Sequence, residues 1–86
     1  MQEQQDVWRT EPNGVLAAEL GTYRLLVQAP ESPGGLVRFL VLRREPSNDS
    51  FALIGSGTET DLRSAMRAAM RMADRHAEQP RMRRAG

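Results

Sequence analysis

Turn residues divide the chain into short apolar runs, and their spacing limits the folds that it can adopt. The runs are VLAAEL, YRLLVQ, LVRFLVLRR and FALIGS, which begin at residues 15, 23, 36 and 51. Turn residues precede and separate these runs, first Asn13-Gly14, then Gly21-Thr22, and then the segments 29–35 and 45–50. Because these loops are too short for crossover helices, the runs predict strands in an antiparallel meander.

Successive side chains of a strand point to opposite sides of the sheet, so the residues of the second and third runs can be assigned to its two faces. The inward phase is fully apolar and consists of Tyr23, Leu25, Val27, Val37, Phe39 and Val41. We expect Val27 and Phe39 to lie between the sheet and a helix, with Trp8 packed over an open end of this core. Residues 15–20 leave open whether the sheet has three strands or four.

The C-terminal part of the chain shows the periodicity of an amphipathic helix. From Leu62 onward, apolar residues recur every three or four positions, at Ala65, Met66, Ala69, Met70, Ala73 and Ala77. Thr58 and Asp61 approximate a capping box, with Glu59 and Asp61 in the first turn, and Pro80 predicts the end of the helix. The expected fold is α+β, with an antiparallel meander and one C-terminal helix on one face (ββββα).

The length of 86 residues allows one domain. We expect a flexible N-terminus at 1–6, a single α+β domain at 7–77 and a flexible basic tail at 78–86. The start of the chain has no basic segment followed by an apolar run, and no stretch of about 18 apolar residues occurs. The expectation is a cytoplasmic protein without a membrane segment.

The residue types present argue against catalysis and metal binding. The chain has no cysteine and one histidine, His76, which we interpret as a residue at the end of the apolar helix arc. The segment 54–58 has the outline of a phosphate-binding loop, but it lacks the third glycine of the dinucleotide motif and the lysine of a P-loop. We interpret it as a tight turn with a helix cap, and we expect a non-enzyme without catalytic residues, metal or cofactor.

Several short motifs along the chain resemble those of short uncharacterised proteins of GC-rich bacteria and their mobile elements. The residues that carry the resemblance are Trp8, Asn13-Gly14, Tyr23, Leu25, Val27, Arg38-Phe39, Val41, Ile54-Gly55-Ser56-Gly57, Ala65-Met66 and Ala69. It extends over residues 8 to about 76 and implies a β-meander with a C-terminal helix in a bacterial protein. It implies no activity.

Basic residues are concentrated at the C-terminal end of the chain. All twelve basic side chains are arginine, and the net charge is −2 over residues 1–57 and +3 over residues 58–86. Arg63, Arg67, Arg71 and Arg75, here called the arginine stripe, would lie along the outer side of the helix, and Arg81, Arg83 and Arg84 could extend it. The stripe is either a solvated surface or a site for nucleic-acid phosphates.

The side of the sheet away from the helix, here called the outer sheet face, is too apolar for a solvated surface. Its predicted residues are Arg24, Leu26, Gln28, Leu36, Arg38, Leu40 and Leu42. An apolar patch with arginines at its rim is typical of a protein interface. The first hypothesis is therefore a protein-interaction or self-associating module, such as a homodimer, that uses Arg24, Leu26, Arg38, Leu40 and Leu42. The alternative is a nucleic-acid-binding accessory protein that uses the arginine stripe.

Overall fold

A computed structural model describes residues 8–30, 32–47 and 49–85, with the side chains of the helix as far as Glu78. Five strands are followed by one helix: β1 (Trp8–Thr10), β2 (Leu16–Leu20), β3 (Tyr23–Gln28), β4 (Val37–Arg44), β5 (Phe51–Glu59) and α1 (Leu62–Ala85). The predicted flexible N-terminus, residues 1–6, lies outside the described residues, as do the side chains of the predicted tail beyond Glu78.

The strands form one antiparallel sheet in the order β1-β2-β3-β4-β5, so each strand pairs with its neighbour in the sequence. The predicted α+β meander with a C-terminal helix is confirmed, and residues 16–20 form a regular strand. The sheet has one strand more than expected. The sequence pattern missed β1 because three residues are too few to show alternation.

The hairpin between β1 and β2 closes at the predicted Asn13-Gly14 turn. Gly14 has a φ of 88°, and its N–H donates to the carbonyl of Glu11 at 2.9 Å. Asn13 Oδ1 accepts a hydrogen bond from the N–H of Val15 at 3.2 Å. The left-handed backbone at Gly14 explains why this position holds a residue without a Cβ.

The core lies between α1 and the predicted inward phase of the sheet. Its central side chains are the fully buried Leu25, Val27 and Val41, and Phe39 is only 5% exposed. The helix contributes small residues, Ala65, Ala69 and Ala73, which are buried. Trp8 packs against this cluster from β1 and is half-buried, as predicted.

The segment 55–59 continues β5 and does not form the predicted tight turn. Gly55 pairs with Val41 and Gly57 pairs with Phe39, and a bulge near Leu42 shifts the register between β4 and β5. A Cβ at Gly57 would lie 2.7 Å from Cζ of Phe39, and one at Gly55 would lie 2.6 Å from Sδ of Met72. The glycines are therefore required by close packing across the sheet and against the helix, and the interpretation of this segment as a turn was wrong.

The predicted start of the helix is also wrong by three residues. Asp61 is the N-cap, because its Oδ1 accepts a hydrogen bond from the N–H of Ser64 at 2.8 Å and its carbonyl accepts one from Ala65. Thr58 and Glu59 belong to β5, so they cannot form a capping box or occupy the first turn. The predicted cap at Thr58 is therefore absent, because β5 continues through Thr58 to Glu59.

The helix does not end before Pro80 but continues to Ala85. Proline lacks an N–H and so cannot donate the helical hydrogen bond to the carbonyl of His76. One missing bond does not end the helix here, because the residues beyond Pro80 keep helical backbone geometry. The prediction that Pro80 stops the helix was wrong.

The helix covers only part of the sheet. Its backbone lies nearest to β3, β4 and β5, whereas β1 and β2 reach the shared core through the side chains of Trp8, Leu16 and Leu20. The outer sheet face carries no helix from the described part of the chain. Within the described ranges, the outer sheet face thus carries no second layer, whereas the inner side of β2 contributes the buried Ala18 to the core.

Candidate protein-interaction surface

The strand register places the predicted interface residues together on the outer sheet face. Leu26 lies opposite Leu40, and Arg24 lies opposite Leu42 on the neighbouring strand. Arg38 is the next outward residue along β4, opposite Gln28. The five predicted residues therefore share one face.

The fifth strand adds two apolar side chains to this face. Leu53 lies opposite Leu42, and Phe51 lies opposite Arg44. Leu53 is 59% exposed and Phe51 is 42% exposed, whereas Leu26, Leu40 and Leu42 are half-buried. The result is a continuous apolar patch across three strands, with its most exposed part on β5.

Phe51 and Leu53 were not among the predicted residues of this face, because the β-bulge changes the side of the sheet to which they point. In a regular strand, Phe51, Leu53 and Gly55 would all point to one side. The bulge lets Gly55 face the core while Phe51 and Leu53 face outward. The segment FALI is apolar throughout, so the sequence showed neither an alternation nor the register shift that assigns Phe51 and Leu53 to the outer sheet face.

Arginines surround this patch, and two of them already have carboxylate neighbours. Arg9 lies 3.9 Å from Glu19 across β1 and β2, and Arg44 lies 3.0 Å from Asp49. These ion pairs are largely exposed and so contribute little to stability. They do neutralise part of the rim.

The guanidinium group of Arg24 lies over the ring of Phe51, and one of its N–H donors has no hydrogen-bond acceptor among the described residues. Its guanidinium carbon lies 5.7 Å from the ring centroid, and that of Arg44 lies 6.0 Å from the same centroid. Nε of Arg24 is buried and has no hydrogen-bond acceptor among the residues that the structure describes. An unsatisfied buried donor is costly, so a carboxylate or carbonyl brought to this place would be stabilising.

The arginine stripe lies on the other side of the molecule. Arg63, Arg67, Arg71 and Arg75 are all exposed along α1. The hydrogen bond from the Ser64 N–H is the main reason that the pKa of Asp61 is lowered; the Ser64 side chain and the charges of Arg63 and Arg67 lower it further. No ion pair within 4.0 Å joins a stripe arginine to an acid in the part of the chain that the structure describes.

The helix also carries the chain's single histidine, which the sequence analysis placed at the end of the apolar arc. Nδ1 of His76 lies 2.7 Å from the Tyr23 hydroxyl, and the two rings meet edge to face. This contact joins α1 to β3. Among the described residues, no three His, Cys, Asp or Glu side chains are grouped closely enough to hold a metal ion.

No helix in the described ranges combines the length and the apolar character needed to cross a membrane. Comparisons of the chain with models of protein families, with curated proteins and with solved structures give no match. The resemblance to short bacterial proteins therefore stays a prediction, and any functional assignment depends on the surfaces described above.

Proposed function

We propose that the protein is a non-enzymatic interaction module that binds another protein chain, or a second copy of itself, through the outer sheet face. The observation that carries this proposal is the exposure of Phe51 and Leu53 beside the half-buried Leu26, Leu40 and Leu42. Small soluble domains seldom expose a contiguous apolar patch with a charged rim unless it meets a partner. Covering this patch would remove apolar area from water and so favour association.

The rim indicates the chemistry of the partner surface. Arg9 and Arg44 have carboxylate neighbours within this chain, whereas Arg24 and Arg38 have none within 4.0 Å among the described residues. A partner that presents a flat apolar patch flanked by carboxylates would match both features. Sheets that stack face to face lie about 10 Å apart, so a second sheet is a suitable geometric partner.

The first experiment is the solution mass by sedimentation, for the wild type and for Leu53→Glu. Leu53 is 59% exposed, so a charge at this position should leave the fold intact and weaken association by at least about tenfold. Leu40→Glu tests the centre of the same patch. Leu62→Glu is the matched control, because Leu62 is 41% exposed on α1, away from the outer sheet face.

A dimer that disappears in Leu53→Glu and persists in Leu62→Glu would support self-association through this face. A dimer that is unaffected by Leu53→Glu would place the interface elsewhere and contradict the proposal. If the wild type is a monomer, the partner is another protein, and the same variant should abolish its binding.

The second candidate function is binding to nucleic-acid phosphates through the arginine stripe. It is favoured by four exposed arginines at helical spacing that form no ion pair with the described acids. It is disfavoured by Asp74 and Glu78, which are exposed on the same helix, and by the whole-chain net charge of only +1. We therefore rank it second, and the salt dependence of nucleic-acid binding tests it.

A further inference from the structure

A second surface with exposed apolar side chains lies beside the helix, next to β1. Trp8 in β1 and the flank of α1 enclose an open groove of about 880 Å³. The helix lines it with Leu62, Met66 and Met70, and with Arg63 and Arg67 at the rim. We call this the Trp8 groove.

The groove exists because one helix is too narrow for five strands. Strands lie about 4.8 Å apart, so five of them span about 19 Å from the first to the last, whereas a helix with its side chains is about 10 Å across. The backbone of the helix lies nearest to β3, β4 and β5, and Ala18 of β2 is buried in the shared core, so the open space lies at the sheet edge, between Trp8 of β1 and the flank of α1. A second helix could lie along this flank, beside α1.

The lining of the groove is apolar at its base and positive at its rim. Met66, Met70 and Trp8 are half-buried and Leu62 is 41% exposed, so the base offers adaptable apolar contacts. Arg63 and Arg67 are exposed at the rim. The lining contains two arginines and one acid, the N-cap carboxylate of Asp61, so its net charge is +1.

These charges argue against a second copy of α1 as the occupant. The exposed side of that helix carries the arginine stripe, which would face Arg63 and Arg67 with like charge. A helix with carboxylates beside its apolar stripe would instead meet opposite charge. We propose that the Trp8 groove binds an acidic amphipathic helix of another protein, with its apolar residues against Trp8, Met66 and Met70 and its carboxylates beside Arg63 and Arg67.

A displayed library of random peptides of about 15 residues, long enough for a helix of about 22 Å, provides the probe. Selection against the full-length protein should enrich peptides that have apolar residues at i, i+3 or i+4 and i+7 flanked by Asp and Glu. Trp8 is the chain's single tryptophan, so its fluorescence reports occupancy of the groove directly. Binding of a selected peptide should change this fluorescence and should weaken as salt is added.

The variants separate the groove from the general charge of the helix. Arg63→Gln with Arg67→Gln should weaken a selected peptide by about tenfold or more. The matched control, Arg71→Gln with Arg75→Gln, removes the same charge from the same helix outside the groove and should change affinity by less than about twofold. Leu53→Glu, on the outer sheet face, should have no effect, so this result is independent of the function proposed above.

Four results would overturn the proposal. Enrichment of basic or uncharged peptides would contradict the predicted acidic character of the partner helix. If both double arginine variants weaken peptide binding equally, the binding depends on the net charge of the helix and not on the groove. Binding without a change in Trp8 fluorescence would place the site elsewhere. Selection of no peptide would mean that the groove does not accept a helix from another chain.

Discussion

The ring of Phe39 lies across Gly57, its cross-strand neighbour in β5. Gly57 has no side chain, and a Cβ there would come within 2.7 Å of Cζ and 2.9 Å of Cε2 of the ring. Gly55 stands in the same relation to Met72 of α1, with a distance of 2.6 Å from its Cβ position to Sδ. The two glycines of the Gly-Ser-Gly segment thus let the strand pack closely against an aromatic ring and a thioether.

Gly57→Ala should destabilise the protein more than Gly55→Ala. The ring of Phe39 is rigid and 5% exposed, so it cannot move away without disturbing the core, and we expect a loss of about 1 to 3 kcal/mol. Met72 can move its flexible end, so the cost at Gly55 should be smaller. Urea unfolding followed by circular dichroism measures both values, and equal losses would contradict the role assigned to the Phe39 ring.

Phe39→Ala should cost about 3 to 5 kcal/mol, because it opens a cavity between the sheet and the helix. A domain of this size has little stability to lose, so the variant should be largely unfolded at room temperature. The control is Leu53→Ala, since Leu53 is 59% exposed and its truncation should change the free energy of unfolding by no more than about 0.5 kcal/mol. A stable, folded Phe39→Ala variant would mean that the core does not depend on this ring.

Tyr23→Phe removes the hydroxyl that lies 2.7 Å from Nδ1 of His76 while keeping the aromatic ring. The contact joins β3 to α1 and is partly buried, so we expect a loss of about 0.5 to 1.5 kcal/mol in the free energy of unfolding. Hydrogen exchange of the backbone amides of α1 near His76 should also become faster. An unchanged unfolding midpoint would show that the two groups interact no better with each other than with water.

Stability should fall in acid partly through Asp61. Because the Ser64 N–H holds the pKa of this carboxyl below its ordinary value, the ionised form stabilises the folded state at higher pH, and this contribution is lost as pH falls through the lowered pKa. Asp61→Asn keeps an oxygen acceptor for the cap, so it should lose the pH dependence and keep most of the helix. Asp61→Ala should lower the melting temperature even at about pH 7.

Melting curves between about pH 7 and about pH 2 compare the three proteins. The gap between the wild type and Asp61→Asn should narrow toward acid. A gap that is constant over this range would mean that ionisation of Asp61 does not stabilise the N-cap.

The arginine stripe should give no stable complex with double-stranded DNA or RNA in a gel shift at physiological salt. The whole-chain charge is only +1, and phosphate binding weakens steeply as salt rises. If a complex forms at low salt, Arg67→Gln with Arg71→Gln should flatten its salt slope by about one unit for each phosphate that the variant no longer neutralises. A tight complex at physiological salt would reverse our ranking of the two functions.

The candidate interaction surface could be predicted only in part. Alternation assigned Arg24, Leu26, Arg38, Leu40 and Leu42 to one face, because the side chains of a regular strand alternate between the two sides of a sheet. Alternation could not assign Phe51 and Leu53, because a one-residue bulge changes the phase of a strand without a separate sequence signal. The sequence pattern therefore left out Leu53, which is 59% exposed, although it did assign Leu36, which is 56% exposed, to this face.

The Trp8 groove could not be predicted, because it depends on where the helix lies across the sheet. The periodicity of α1 indicated which of its residues face the sheet, but it contains no information about which strands they meet. Packing over β3, β4 and β5 brings Trp8, Met66 and Met70 to the lining of one open groove.

The sequence by itself determined that an antiparallel meander is followed by one helix, and it determined the inward phase of β3 and β4. These features follow from local chemistry, since short turns force neighbouring strands to pair and alternation decides which side chains are buried. Only the tertiary structure decided that Gly55 and Gly57 belong to a strand, that Asp61 begins the helix and that Tyr23 meets His76. The strand at Gly55 and Gly57 and the contact of Tyr23 with His76 depend on residues far apart in the chain, where packing against Phe39, Met72 and α1 overrides the local preference for a turn. The helix begins at Asp61 because β5, paired with β4, extends as far as Glu59.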